Sequence, residues 1–188
     1  MNWIKNEGNQ GKLTIALVLF MAMTVAVLLP LFPSIPQSQP QTPNLLPGQS
    51  ATLLADGTLL LIGGEAASGP LRTAAIWNPS TGGTTRLSGR LAHGRAWHTA
   101  TMLPDGTVLV FGGVGSNSEV LSSPEIFDPS TQTFELLPST GLTSRARHTA
   151  TLLTNGHVLV TGGVGPNGET LAGAELWDSL DGCQASLC

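Results

Sequence analysis

The sequence predicts an all-β protein: an array of small antiparallel sheets, preceded by one apolar helix. Three observations carry that prediction. HTATMLPDGTVLVFGG, from His98 to Gly113, returns as HTATLLTNGHVLVTGG from His148 to Gly163, and more loosely as SATLLADGTLLLIGG from Ser50 to Gly64. The glycine pairs Gly63-Gly64, Gly112-Gly113 and Gly162-Gly163 close the three versions at steps of 49 and then 50 residues, a period typical of repeat architectures. Between the pairs, short apolar runs are punctuated by Asp-Gly, Asn-Gly and Asp-Pro-Ser, the pattern of short strands and turns.

The chain opens with a polar segment, residues 1–12, which holds both lysines. Residues 13–32 are then apolar apart from Thr14 and Thr24, about the twenty residues a helix needs to cross a hydrocarbon core. With lysines before it and none after it, this segment predicts a cytoplasmic N-terminus and an extracytoplasmic remainder, periplasmic or extracellular. It reads as a signal anchor or, alternatively, as a cleaved signal peptide that would leave a secreted domain. Residues 33–47 are rich in proline and glutamine, and proline at that density favours an extended spacer.

From residue 48 each period supplies the same parts. A first strand, such as HTATML, leads to a turn at Asp56-Gly57, Asp105-Gly106 or Asn155-Gly156. Those dipeptides predict two-residue type I′ hairpins, which need positive φ at both central positions. The runs Leu59 to Ile62, Val108 to Phe111 and Val158 to Val160 are apolar throughout, so they predict strands covered on both faces. A polar loop follows each glycine pair, at 65–73, 114–124 and 164–173. A third strand then ends at Asn78-Pro79, Asp128-Pro129 or Trp177-Asp178, and a fourth is readable as Thr133 to Pro138 and more weakly as TTRLSG.

A histidine-led strand, a Gly-Gly-terminated strand, and aromatic third and fourth strands together resemble the kelch repeat. The second copy fits best, with Arg95, His98, Gly112, Gly113, Phe127 and Phe134 at the matching positions. The resemblance covers residue 48 to about 178 and implies a partial kelch-type β-propeller, with blades at about 48–97, 98–147 and 148–188. The first copy lacks the arginine and histidine and carries Arg86 in place of the fourth-strand aromatic; the third shows no fourth strand after Asp178. Closed propellers have four to eight blades, so three predict a part of a larger propeller or one completed by self-association.

Candidate chemistry is sparse. After the apolar segment six arginines face eleven acidic residues, a balance that offers no footprint for nucleic acid. Cys183 and Cys188 lie in the final six residues, beyond the stretch to about 178 that matches the repeat, so the repeated segments themselves carry neither a disulfide framework nor a thiolate metal site. Arg95 and Arg145, His98 and His148, and Glu125 and Glu175 are repeat-equivalent pairs, which predicts structural jobs done twice, with the glutamates as partners for the arginines. The copper chemistry of galactose-oxidase-like propellers needs tyrosine, and the chain has none. Gly163 to Gly168 fits G-x-G-x-x-G but leads into a strand pattern instead of a helix. The expectation is a non-enzymatic, membrane-tethered binding or scaffold module without catalytic, cofactor or metal residues, whose loops contact protein or glycan. The alternative is a fragment of a carbohydrate-active or galactose-oxidase-like propeller enzyme whose catalytic residues are elsewhere.

Overall fold

Short apolar runs separated by glycine turns become strands throughout the computed structural model, which describes residues 42–138, 141–178 and 185–187. The strands are β1 (Ser50–Leu53), β2 (Leu59–Ile62), β3 (Glu65–Ala66), β4 (Gly69–Pro70), β5 (Thr73–Trp77), β6 (Thr84–Arg90) and β7 (Thr99–Met102). They continue with β8 (Val108–Phe111), β9 (Glu125–Asp128), β10 (Thr133–Leu136), β11 (Thr149–Leu152), β12 (Val158–Thr161), β13 (Ala174–Trp177) and β14 (Ala185–Leu187). Three four-stranded antiparallel sheets result, ordered β1-β2-β5-β6, β7-β8-β9-β10 and β11-β12-β13-β14, with β3 and β4 forming a small separate hairpin. Among the described residues no helix is long and apolar enough to cross a membrane. The apolar segment at 13–32, the first part of the linker, and both cysteines lie outside those residues.

Two expectations are corrected. The third sheet does have a fourth strand: β14 pairs with β13, setting Ala174 against Leu187 and Leu176 against Ala185. The free edge of β13 offers unpaired N–H and C=O groups, and a short segment without proline, such as Ala185–Leu187, can complete that ladder through its backbone alone. The hairpins are also not type I′. Only the glycine of each turn has positive φ, +82° at Gly57 and +88° at Gly106 and Gly156, while Asp56, Asp105 and Asn155 do not. The Gly57 amide donates to Leu54 O and the Leu54 amide to Thr58 O, which makes a three-residue loop of a type I turn plus a left-handed glycine. The aspartate side chain stabilises that form, since Asp56 Oδ1 accepts from both the amide and the hydroxyl of Thr58 at 2.9 and 2.7 Å.

The sheets pack face to face through two apolar layers. Leu54, Leu60, Ile62 and Leu87 of the first sheet meet Val108, Val110 and Phe127 of the second. Leu103, Leu109 and Phe111 on the second sheet's opposite face meet Val158, Val160 and Trp177 of the third. Because alternate side chains point to opposite faces, β8 is buried at every position, from 0% exposure at Val108 to 2% at Leu109. In β12 only Val158 and Val160 are buried, and Leu159 and Thr161 are half-buried.

Candidate functional site

Two connecting straps, residues 91–98 and 142–148, join successive sheets and gather the polar residues singled out in the sequence. Arg95 is fully buried, and its Nη2 lies 2.6 Å from Glu125 Oε1. Its Nη1 donates to the carbonyls of Gly112 and Ser123, while Glu125 Oε2 accepts the Ala92 amide at 2.7 Å. The third sheet repeats the arrangement, with Arg145 Nη2 at 2.5 Å from Glu175 Oε2 and Nη1 donating to Gly162 O. Burial lowers the Arg95 pKa from its ordinary value, and the Glu125 carboxylate opposes that shift. Each arginine therefore clamps its strap to the sheet that follows.

The same straps hold the sheet that precedes. Gly64 donates its amide to Arg95 O and Gly113 to Arg145 O, at 3.0 and 2.9 Å. A Cβ on Gly63 or Gly112 would stand 2.3 or 2.2 Å from those carbonyl oxygens, so close approach of the strap requires glycine at both positions. In the first sheet Leu46 and Gln49 occupy the arginine and histidine positions, and Gln49 Nε2 donates to Gly63 O at 3.2 Å, as Arg95 does to Gly112 O.

The histidines also bridge sheets. His98 Nε2 is 2.8 Å from Ser50 Oγ, and His148 Nε2 is 3.0 Å from Thr99 Oγ1. Neither Nδ1 has a partner; an unpaired lone pair costs less than an unpaired N–H, which favours the tautomer that donates from Nε2 to the hydroxyl. Burial, reinforced by Arg95 and then His148, pushes the His98 pKa down to about 3; burial and Arg145 push His148 to about 4. Both imidazoles are neutral at pH 7. Phe111 packs against His148 edge-on at 5.5 Å.

Above the glycine pairs stand the loops. Those at 114–124 and 164–173 have one backbone shape: Gly115 N donates to Glu119 O as Gly165 N does to Glu169 O, and Leu121 and Leu171 return to Gly113 O and Gly163 O. In the first loop Leu71 N closes on Gly64 O in the same way. Side chains differ at Ser116 and Pro166, Ser118 and Gly168, and Ser122 and Ala172, and the tips 116–119 and 166–169 are exposed. The G-x-G-x-x-G match is thus half of a hairpin; Glu169 fills the space beside Gly165, where a phosphate would need bare amides, and β13 follows.

One pair escaped the sequence reading. His157 Nδ1 lies 3.6 Å from Asp178 Oδ2 at the turn end of the third sheet. The antiparallel pairing of Val158 with Trp177 sets the two residues opposite each other, a signal that becomes visible only once the register is known. At the same end a cleft of about 270 Å³ opens between the first two sheets, lined by Leu54, Asp56, Ile76, Leu87, Phe127 and Gln132. Among the described residues no group of three His, Cys, Asp or Glu side chains is placed to hold a metal.

Four-stranded sheets stacked face to face, strapped by Arg-x-x-His segments and closed by Gly-Gly, define blades of a β-propeller. Residues 99–141, the whole of the second sheet, match the kelch motif. The solved structure of YjhT superimposes with a TM-score of 0.65 at 17% identity over 75% of this chain, a likeness that carries the fold. This chain spans about half, 51%, of the YjhT chain. A search of curated proteins found no match.

Proposed function

We propose that the protein is a non-catalytic interaction module: a kelch-repeat propeller segment, tethered to a membrane by residues 13–32, exported, and contacting protein or glycan partners through the loops at 65–73, 114–124 and 164–173. The observation that supports this is the division of labour around the straps. Arg95, Arg145, Glu125, Glu175, His98 and His148 are all engaged in joining sheets. The loop tips have a common hairpin form, exposed positions, and side chains that vary between copies, which is how a repeat array changes specificity without disturbing its core. Within this reading further sheets, whether from a longer chain or another copy, cover the ends of the array.

A photo-cross-linking residue placed at Ser116 or Pro166 in cells should capture a defined partner, and the same probe at the turn-end positions Asp105 or Asn155 should not. Equal capture at both ends, or none at either, overturns the assignment of the loops. A reporter fused after Pro47 should be active only outside the cytoplasm; cytoplasmic activity overturns the topology.

A further inference from the structure

The two apolar layers between the sheets are built alike and filled differently. Val108 pairs with Phe127 and Val158 with Trp177, so these two aromatics hold the same place in successive sheets. In the second layer Trp177 packs with Leu103, Ile126 and Leu137 and is 3% exposed. Leu54, Ile76 and Leu87 are their counterparts in the first layer, where the aromatic is Phe127. A phenyl ring is smaller than an indole, and Phe127 sets its ring against Phe134 of its own sheet, with centroids 4.8 Å apart. The cleft of about 270 Å³ opens at that place. Sites for drug-sized molecules run from roughly 300 to 1,000 Å³, so the space suits a small occupant.

Its walls are fixed by the fold. Gly89 of β6 lies against the turn between β9 and β10, where a Cβ would stand 2.2 Å from Gln132 O. Asp128 Oδ1 holds that turn by accepting from the amide and hydroxyl of Ser130 at 2.8 and 2.7 Å. The opposite wall is the Asp56 turn, tied by Thr58. The cleft therefore exists before any occupant arrives, which spares a ligand the cost of ordering it. Its rim carries one charge. Both bonds from Thr58 fall on Asp56 Oδ1, which leaves Oδ2 for an outside donor. The hydroxyl bond, and then the amide bond, hold Asp56 below the ordinary carboxylate pKa, so it is an anion at neutral pH. Thr85 and Leu87 line the cleft, so Arg86 between them points to the other face of β6. Thr85 pairs with Ile76 as Glu135 pairs with Ile126, and so places a shorter, neutral side chain beside this cleft.

We infer that this cleft binds a small aromatic amine: a flat ring of indole size enters among Leu54, Ile76, Leu87 and Phe127, and its ammonium meets the Asp56 carboxylate. Trp177 shows the shape that such a layer accepts. The chain's own indole is buried there although its Nε1 has no hydrogen-bond partner, so the ring alone is enough to occupy the space. Charge then selects among ligands with that ring. A carboxylate beside an apolar slot forms a charge-assisted hydrogen bond with an ammonium and repels an anion of the same shape. The site lies at the turn end, apart from the loops, and is complete within the first two sheets.

Titration calorimetry of the full chain with tryptamine tests this, with indole-3-propionate as the same ring carrying a carboxylate. Tryptamine should bind at a single site per chain, at least about tenfold more tightly than indole-3-propionate. Asp56→Asn keeps the turn, since Asn155 accepts the His157 amide at 3.2 Å in the third copy, and should weaken tryptamine binding by at least about tenfold. Phe127→Trp gives the first layer the filling of the second and should abolish binding. If that core variant fails to fold, Thr85→Trp, at an exposed position beside the cleft, should abolish binding in its place, with a melting curve to check each variant's fold. No binding of tryptamine at millimolar concentration, equal affinity for the two ligands, or undiminished binding in Asp56→Asn or Thr85→Trp overturns the inference. Cross-linking from the loop tips is read separately, so the interaction-module reading can stand or fall without this one.

Discussion

The second and third sheets have nearly the same sequence and different surroundings. In the second, β8 is covered on both faces, Arg95 and Glu125 are 0% and 1% exposed at the side chain, and Phe111 fills the layer toward the next sheet. In the third, Glu175 is 20% exposed, and Thr161 stands where Phe111 does, on a face without a described neighbour. The Arg–Glu pair, the glycine pair and the Leu at the centre of the strand are nevertheless present in both. The difference teaches that the repeat writes both faces of a sheet into its sequence, and that context alone decides which fittings carry energy.

That contrast can be broken most strongly at the ion pairs. Glu125→Gln strands a buried guanidinium, and removing one partner of such a pair costs about 3–5 kcal/mol. Glu175→Gln should cost well under half as much, because water reaches its carboxylate and screens Arg145. Denaturant unfolding followed by tryptophan fluorescence measures both. Equal losses would mean that the third sheet is as enclosed as the second. Next in size, Gly112→Ala combines left-handed strain of about 1–2 kcal/mol with a collision against Arg145 O, whereas Gly162→Ala carries the strain alone. A gap of at least about 1 kcal/mol between these variants is expected, and equal losses would mean that the Gly162 position is as crowded as that of Gly112.

Much of this was legible in the sequence, and the limits follow from which atoms do the work. The spacing of the glycine pairs gave the number of sheets, and the continuous apolar run of β8 told that both its faces are covered. The shared offset from Arg95 to Glu125 and from Arg145 to Glu175 foreshadowed the clamps. The hydroxyl partners of the histidines did not show, because Ser50 and Thr99 look like any residue of a polar strand until the sheets are stacked. Strand β14 and the common shape of the two later loops were hidden for another reason: backbone amides and carbonyls hold them, and those groups are the same whatever the side chains. The turns were misread because Asp-Gly suits both a two-residue and a three-residue loop, and Thr58 and Thr107, which the aspartates bond, favour the latter.

The smallest contrast lies between the two histidines and appears only in acid. Both have folded-state pKa values below the ordinary 6.5, at about 3 for His98 and about 4 for His148, so between those values and 6.5 the unfolded chain binds more protons than the folded one. Stability is therefore expected to be flat with respect to these groups above about pH 6.5 and to fall as pH drops below it, with equal contributions from both until about pH 4. Beneath that point folded His148 also takes up its proton and its contribution levels off, while His98, held between Arg95 and the apolar layer, keeps losing stability toward pH 3. Glutamine already stands at the equivalent position of the first sheet as Gln49, so His98→Gln and His148→Gln replace each imidazole by a group the fold accepts. Unfolding free energies from pH 7 to pH 3 should show each variant with a shallower acid limb than the parent, and subtracting the two cancels the carboxylates common to both. The curves should separate only below pH 4, with His98→Gln the flatter; separation already at pH 6 would show that one histidine is not buried as its neighbours imply.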